Sequence, residues 1–196
     1  MKSLTVKSSE LYSNYQMAVR ARLRQPALLS NDLRRNAVDG KLWGSFGEHI
    51  RYACLSLDGK GLSSYGDCFA VLKNLNIEHR ASILERNSYE FVESAPSQPS
   101  PLGFRSSWQN RHMVAVAKCA NLVTSGTRQE DFPGILMETG SSRHDDEFIE
   151  VHIFGPFDFK AFESIGTSGK VTDPRDKLTL KIIEQKATAE GKTWLS

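Results

Sequence analysis

Residues 145–157 read DDEFIEVHIFGPF, and the way this run sits in a sheet decides the fold. Side chains of an extended chain alternate between the two faces. Ile149, Val151 and Ile153 then share one aliphatic face, which reads as core, while Phe148, Glu150, His152 and Phe154 share the other. Two ionisable groups two positions apart, flanked by phenylalanines, make that second face either a solvated surface or the floor of a site. A carboxylate among aromatic rings needs a donor or a raised pKa. Such a glutamate can hydrogen-bond a sugar hydroxyl and stabilise positive charge as a glycosidic bond breaks, with His152 orienting it or acting as a base.

Upstream, HIRYACLSLDGKG (49–61) is a second strand closed by an Asp-Gly-Lys-Gly stop. Arg51 shares a face with Ala53, Leu55 and Leu57, in line with an apolar stripe. A buried guanidinium requires an anion or several acceptors and suits a phosphate held in bidentate fashion. The alternative is a strand-end arginine reaching into water. The turn GKGLSSYGD (59–67) offers backbone N–H groups, the Ser63 and Ser64 hydroxyls and the Tyr65 ring to a phosphate, ribose or planar base. It fits neither a P-loop nor a dinucleotide-binding fingerprint.

DCFAVLK (67–73) reads as a central strand buried on both faces, and ASILERNSYEFVES (81–94) as a strand or irregular segment. Residues 94–103, SAPSQPSPLG, form a Pro/Ser-rich loop. RHMVAVAKCANLVTSG (111–126) predicts a helix with Met113, Val116, Ala117, Ala120 and Val123 on its apolar stripe and Gly126 as its stop. TGSSRHDDE (139–147) is a polar loop whose acids are expected to be solvated. Asp173, Pro174 and Gly191 predict a C-terminal helix with an N-cap, a proline first position and a glycine stop. Residues 8–38 predict one or two short amphipathic helices. The order of elements predicts an α+β fold with a mixed or antiparallel sheet, divided into an N-terminal helical segment, 1–44, and a single domain, 45–196.

Composition narrows the classes. With 39% hydrophobic residues, 24% charged residues and a net charge of +2 over 196 residues, the chain suits one globular domain and carries no basic excess of the kind that alone marks nucleic-acid binding. Its three cysteines, Cys54, Cys68 and Cys119, have neither disulfide nor zinc spacing. No metal is expected, since His144 with Asp145, Asp146 and Glu147 lacks fixed geometry. His49, His79 and His112 read as surface or capping residues. No apolar run reaches the length of a membrane span, and no signal-peptide core is present. No membrane partner and no export signal of its own are therefore expected, with a cytoplasmic location or delivery by another component in its place.

The succession of a strand with an arginine (IRYACLSL), a Gly/Ser/Tyr turn entering a second strand (GLSSYGDCFAVLK) and a late strand with a glutamate (FIEVHIFGPF) resembles the arginine–serine–glutamate layout of divergent, toxin-like ADP-ribosyltransferase domains of bacterial effectors. The resemblance covers about residues 45–165. It implies a split sheet with N-terminal helices and a C-terminal helix, and NAD as donor. It also implies Arg51 on the cofactor phosphate, Ser63 or Ser64 (or Tyr65) at the nicotinamide-ribose pocket, and Glu150 on the ribose as the nicotinamide bond breaks. The acceptor would be macromolecular, a protein side chain or an RNA hydroxyl. A delivery partner or neutralising immunity protein goes with that class, as does action in the cytosol of a target cell. Phe148 stands where the family commonly has an acidic or amide residue, which turns the expected acceptor away from protein arginine. Two other functions fit the residues: a ribonuclease-type toxin using Glu150 and His152 as acid and base, and a non-enzymatic binding or immunity module in which both are surface residues.

Overall fold

The computed structural model describes residues 11–22, 25, 29–93, 104–141, 143, 145–167, 169 and 171–195. In chain order the strands are β1 (Ile50–Cys54), β2 (Cys68–Leu72), β3 (Ala81–Leu84), β4 (Ser106–Ser107), β5 (Glu150–Phe154), β6 (Phe162–Thr167) and β7 (Thr193–Leu195). The helices are α1 (Tyr15–Arg20), α2 (Leu29–Trp43), α3 (Asn74–Ile77), α4 (Ser88–Glu93), α5 (Arg111–Cys119), α6 (Phe132–Leu136) and α7 (Pro174–Ala189). The fold is α+β, as the order of elements predicts. The Pro/Ser-rich loop at 94–103 and His144 lie outside the described residues.

The strands form two sheets. One is fully antiparallel in the order β1-β5-β3-β4, and the other runs β2-β6-β7 with β6 and β7 parallel. β5 is central in the first sheet because its aliphatic face has partners on both sides. Val151 lies between Ala53 and Ile83, and Ile153 between Arg51 and Ala81. That face joins Phe162 and Ile165 of β6 and Ile183 and Ala187 of α7 in one core spanning both sheets. Phe157, Phe159 and Phe162 add edge-on ring contacts there. Gly166 is required where β6 meets β7: a Cβ would run into the Leu195 carbonyl and the Phe69 ring. α7 begins as its sequence predicts, with the Asp173 side chain accepting from the N–H groups of Arg175 and Asp176 and Gly191 past its end at φ 69°.

Several expectations change. β2 is an edge strand pairing only with β6, and Cys68 at its start is exposed. An apolar run alone does not say how many neighbours a strand finds. α5 stops at Cys119, and its inward residues are Val114, Ala115 and Cys119, whereas Met113 and Val116 are 61% and 69% exposed. The predicted stripe sits about one residue out of phase, an error that short helices with many alanines invite. Residues 81–94 divide into β3 and α4, and β6 and β7 carry no clear period-two signal. α2 lies over the second face of the first sheet, with Val38 and Leu42 packed against Val92 of α4 in a satellite core.

Candidate active site

The second face of β5 is covered, not solvated. Glu150 and His152 are 5% and 1% exposed, while Phe154, beyond them, is 47% exposed. Antiparallel pairing places Tyr52 and Ser82 on either side of His152, and Cys54 and Leu84 on either side of Glu150. Each Glu150 carboxylate oxygen has its own donor. His152 Nε2 stands 2.6 Å from Oε1, and the Ser88 backbone N–H, in the first turn of α4, donates to Oε2 at 3.3 Å. A carboxylate only accepts, so with Glu150 ionised the imidazole proton is on Nε2. His152 Nδ1 is buried and has no partner.

The wall facing His152 comes from α2. Arg35, Asp39 and Trp43 recur at four-residue spacing and so share one helix face. Trp43 packs edge-on against the His152 ring at 4.7 Å, and Tyr52 does the same at 5.3 Å. The Trp43 indole N–H donates to the Tyr52 oxygen at 3.0 Å, and the Tyr52 hydroxyl donates to Asp39. Gln16 from α1 donates to the other Asp39 oxygen at 2.6 Å. Burial pushes the Asp39 carboxyl up, with Tyr52 and Arg35 opposing and the Glu150 charge adding to the rise. Burial and Asp39 also raise the Tyr52 phenol, which stays protonated as a donor. Arg35 hydrogen-bonds Tyr89 of α4, next to Ser88.

On the other side of Glu150 lies the 3-10 turn Ser63–Tyr65. Ser64 donates its hydroxyl to Asp146, whose other oxygen accepts from Gly140 N–H at 3.0 Å. Asp146 is 2% exposed and anchors this turn, which corrects the expectation that the 145–147 acids are all solvated. Tyr65 stands edge-on to the buried Phe148 ring at 6.5 Å and carries the Arg143 guanidinium at 4.9 Å over its face. Burial and then the Glu150 and Asp146 charges push its phenol up to about 12. Arg143 also donates to the Ser64 carbonyl at 2.8 Å. Ser63 is exposed.

Tertiary structure thus brings together Glu150, His152, Phe148, Ser64 and Tyr65. It does not bring Arg51 to them. Arg51 pairs with Ile153 across the sheet and projects from the opposite face. Its guanidinium donates to the carbonyls of His49 at 2.9 Å and Tyr12 at 3.5 Å, and meets Met17 Sδ at 3.2 Å. Backbone acceptors at the sheet edge take its terminal N–H groups in place of a phosphate, and its buried Nε finds no hydrogen-bond partner among the described residues. Asp39, Tyr52, Trp43, Arg35 and Ser88 belong to the site but escape the sequence reading. The four-residue recurrence of Arg35, Asp39 and Trp43 is the one signal that marks any of them. No group of three metal-ligating side chains occurs among the described residues. Comparison of the chain with protein-family models, curated proteins and solved structures returned no match.

Proposed function

We propose that this site is that of an NAD-dependent ADP-ribosyltransferase, with Glu150 as its catalytic residue. The observation that carries the reading is the buried Glu150 carboxylate, fixed through both oxygens between the Ser63–Tyr65 turn and the α2 wall. Cleavage of a glycosidic bond to nitrogen needs a carboxylate held where positive charge develops on the sugar, and orientation more than a strong base. The C1′–N bond of the donor breaks with its electron pair going to the pyridine nitrogen, so nicotinamide leaves neutral. An acceptor oxygen or nitrogen forms the new bond to C1′ and releases its proton to solvent. Glu150 retains unused lone pairs for the ribose, and Tyr65 with its stacked arginine supplies a platform for a planar ring. Arg143 replaces Arg51 as the cation for the donor's phosphates. The resemblance to toxin-like domains supports a macromolecular acceptor, protein or RNA, and an effector role.

The test is release of free nicotinamide and transfer of labelled ADP-ribose, in buffer and in cell lysate. Glu150→Gln keeps the shape and loses the charge. Release should fall by about 10²-fold or more, the range for removing one transition-state stabilising group, with an unchanged melting temperature. No NAD binding and no release by the wild-type protein would sink the proposal. RNA cleavage without NAD would then favour Glu150 and His152 as an acid/base pair, and neither activity would leave a binding module.

A further inference from the structure

Beside His152, on the side away from the Ser63–Tyr65 turn, the covered face opens into a cleft of about 420 Å³, within the size range of small-ligand sites. His152 and Ser82 line it from the sheet, Trp43 from α2, and Phe46 from the 3-10 turn that follows α2. Phe46 and Phe154 are 59% and 47% exposed and meet edge-on at 6.3 Å, so two large rings face water where single exposed apolar residues are the norm. Arg105 lies over the Trp43 ring at 4.2 Å, and Arg80 also lines the cleft.

Neither arginine meets a carboxylate among the described residues. Arg80 donates to the carbonyls of Asn76, Phe154 and Pro156 at 3.0, 2.8 and 2.9 Å, and among the described residues Arg105 makes contacts with the Trp43 and Phe104 rings. Burial lowers both pKa values, and no neighbouring anion opposes it among the described residues. Among the described residues the cleft lining contains no acidic side chain. Exposed aromatic rings and an arginine lying over a tryptophan suit the π-face of a base, and two cations without an acidic partner among the described residues suit a phosphodiester backbone. An acidic peptide would answer the arginines but leave the rings without a planar partner. A basic peptide would find no anion.

We propose that this cleft holds an unstacked base of a single-stranded nucleic acid, with Phe46 and Phe154 as the stacking platform and Arg80 and Arg105 on the adjoining phosphates. As the place of the acceptor it rests on the transferase reading. As a base-binding cleft it stands without NAD. It deepens that reading by separating two substrates on either side of the Glu150–His152 pair: the donor at the Ser63–Tyr65 turn, the nucleic acid under Trp43.

The experiment is fluorescence anisotropy with a labelled ten-nucleotide single strand, as RNA and as DNA, in the absence of NAD. Wild-type protein should bind at least one of the two, with affinity falling as salt rises. Phe46→Ala and Arg105→Ala, both at exposed positions, should each weaken binding about fivefold or more. Leu178→Ala, on the exposed face of α7, should leave it unchanged. Failure of the folded wild-type protein to bind either strand, or equal binding by Phe46→Ala and Arg105→Ala, overturns the proposal. The two readings separate cleanly: nicotinamide release without oligonucleotide binding defeats this one alone, and binding without release defeats the transferase reading alone.

Discussion

Glu150 owes its position to a neighbour two residues along its own strand. His152 shares its face, and with the 2.6 Å contact between them the proposed transferase reading has the imidazole act through the carboxylate. On that reading His152 is a positioning residue, and its replacements should separate geometry from bulk. His152→Gln can still donate to Oε1, whereas His152→Leu leaves that oxygen buried without its donor, a loss of about 1–3 kcal/mol. Leucine should depress kcat for nicotinamide release well below the glutamine variant, with KM for NAD moving less than kcat in both. Equal kcat for the two variants would remove His152 from the mechanism. Cys54, on the same face as Glu150, has its thiol pushed up to about 11 by burial and is not a nucleophile at neutral pH.

At the scale of an element, α2 turns an open sheet face into a pocket wall. Its Asp39 accepts from Tyr52 and Gln16, linking α1, α2 and β1 through one carboxylate. Folding raises the pKa of that group, so the folded state binds the proton more tightly than the unfolded chain. The stability this contributes is fully present below the ordinary carboxylate range and is lost as pH rises through the raised value. Asp39→Asn, which cannot ionise, should flatten that part of the pH dependence. Urea midpoints measured from acid to neutral pH should converge toward the wild-type value as pH falls less steeply than the wild type itself changes. An unaltered slope would show that Asp39 does not titrate on folding.

For the whole molecule, the division of labour between the two faces of the first sheet matters most. One face is a core shared with the second sheet and α7, and the other carries the candidate site. Arg51 belongs to the core side and holds the chain around Tyr12 and Met17 against the sheet edge, where Tyr12 also stacks on Phe157 at 5.0 Å. Arg51→Leu should cost roughly 1–3 kcal/mol, the range for removing buried hydrogen bonds and leaving their acceptors unpaired. It should leave KM for NAD unchanged, as urea melts and initial rates would show. A large rise in KM with normal stability would return Arg51 to the donor phosphates. No helix among the described residues is long and apolar enough to cross a membrane.

The sequence by itself determined what local chemistry controls. The alternation in 148–154 assigns Ile149, Val151 and Ile153 to the core, and the Asp173–Pro174 and Gly191 pair bounds α7, because periodicity and capping depend on neighbours in the chain. It also pointed to Glu150, His152 and the Ser63–Tyr65 turn, since a charge inside an apolar run and a glycine-rich turn are visible without a fold. Only tertiary structure decided that the Glu150 face is covered, that α2 covers it, and that Arg51 projects from the other side. Those facts depend on which strands pair and in what register. A register of Arg51 opposite Ile153 sends the arginine away from Glu150, and a one-residue slip would bring it over. The same long-range pairing makes β2 an edge strand and β5 a central one, although both read as apolar runs. Number of neighbours, register and coverage are properties of contacts distant in sequence, and no short stretch of the chain encodes them alone.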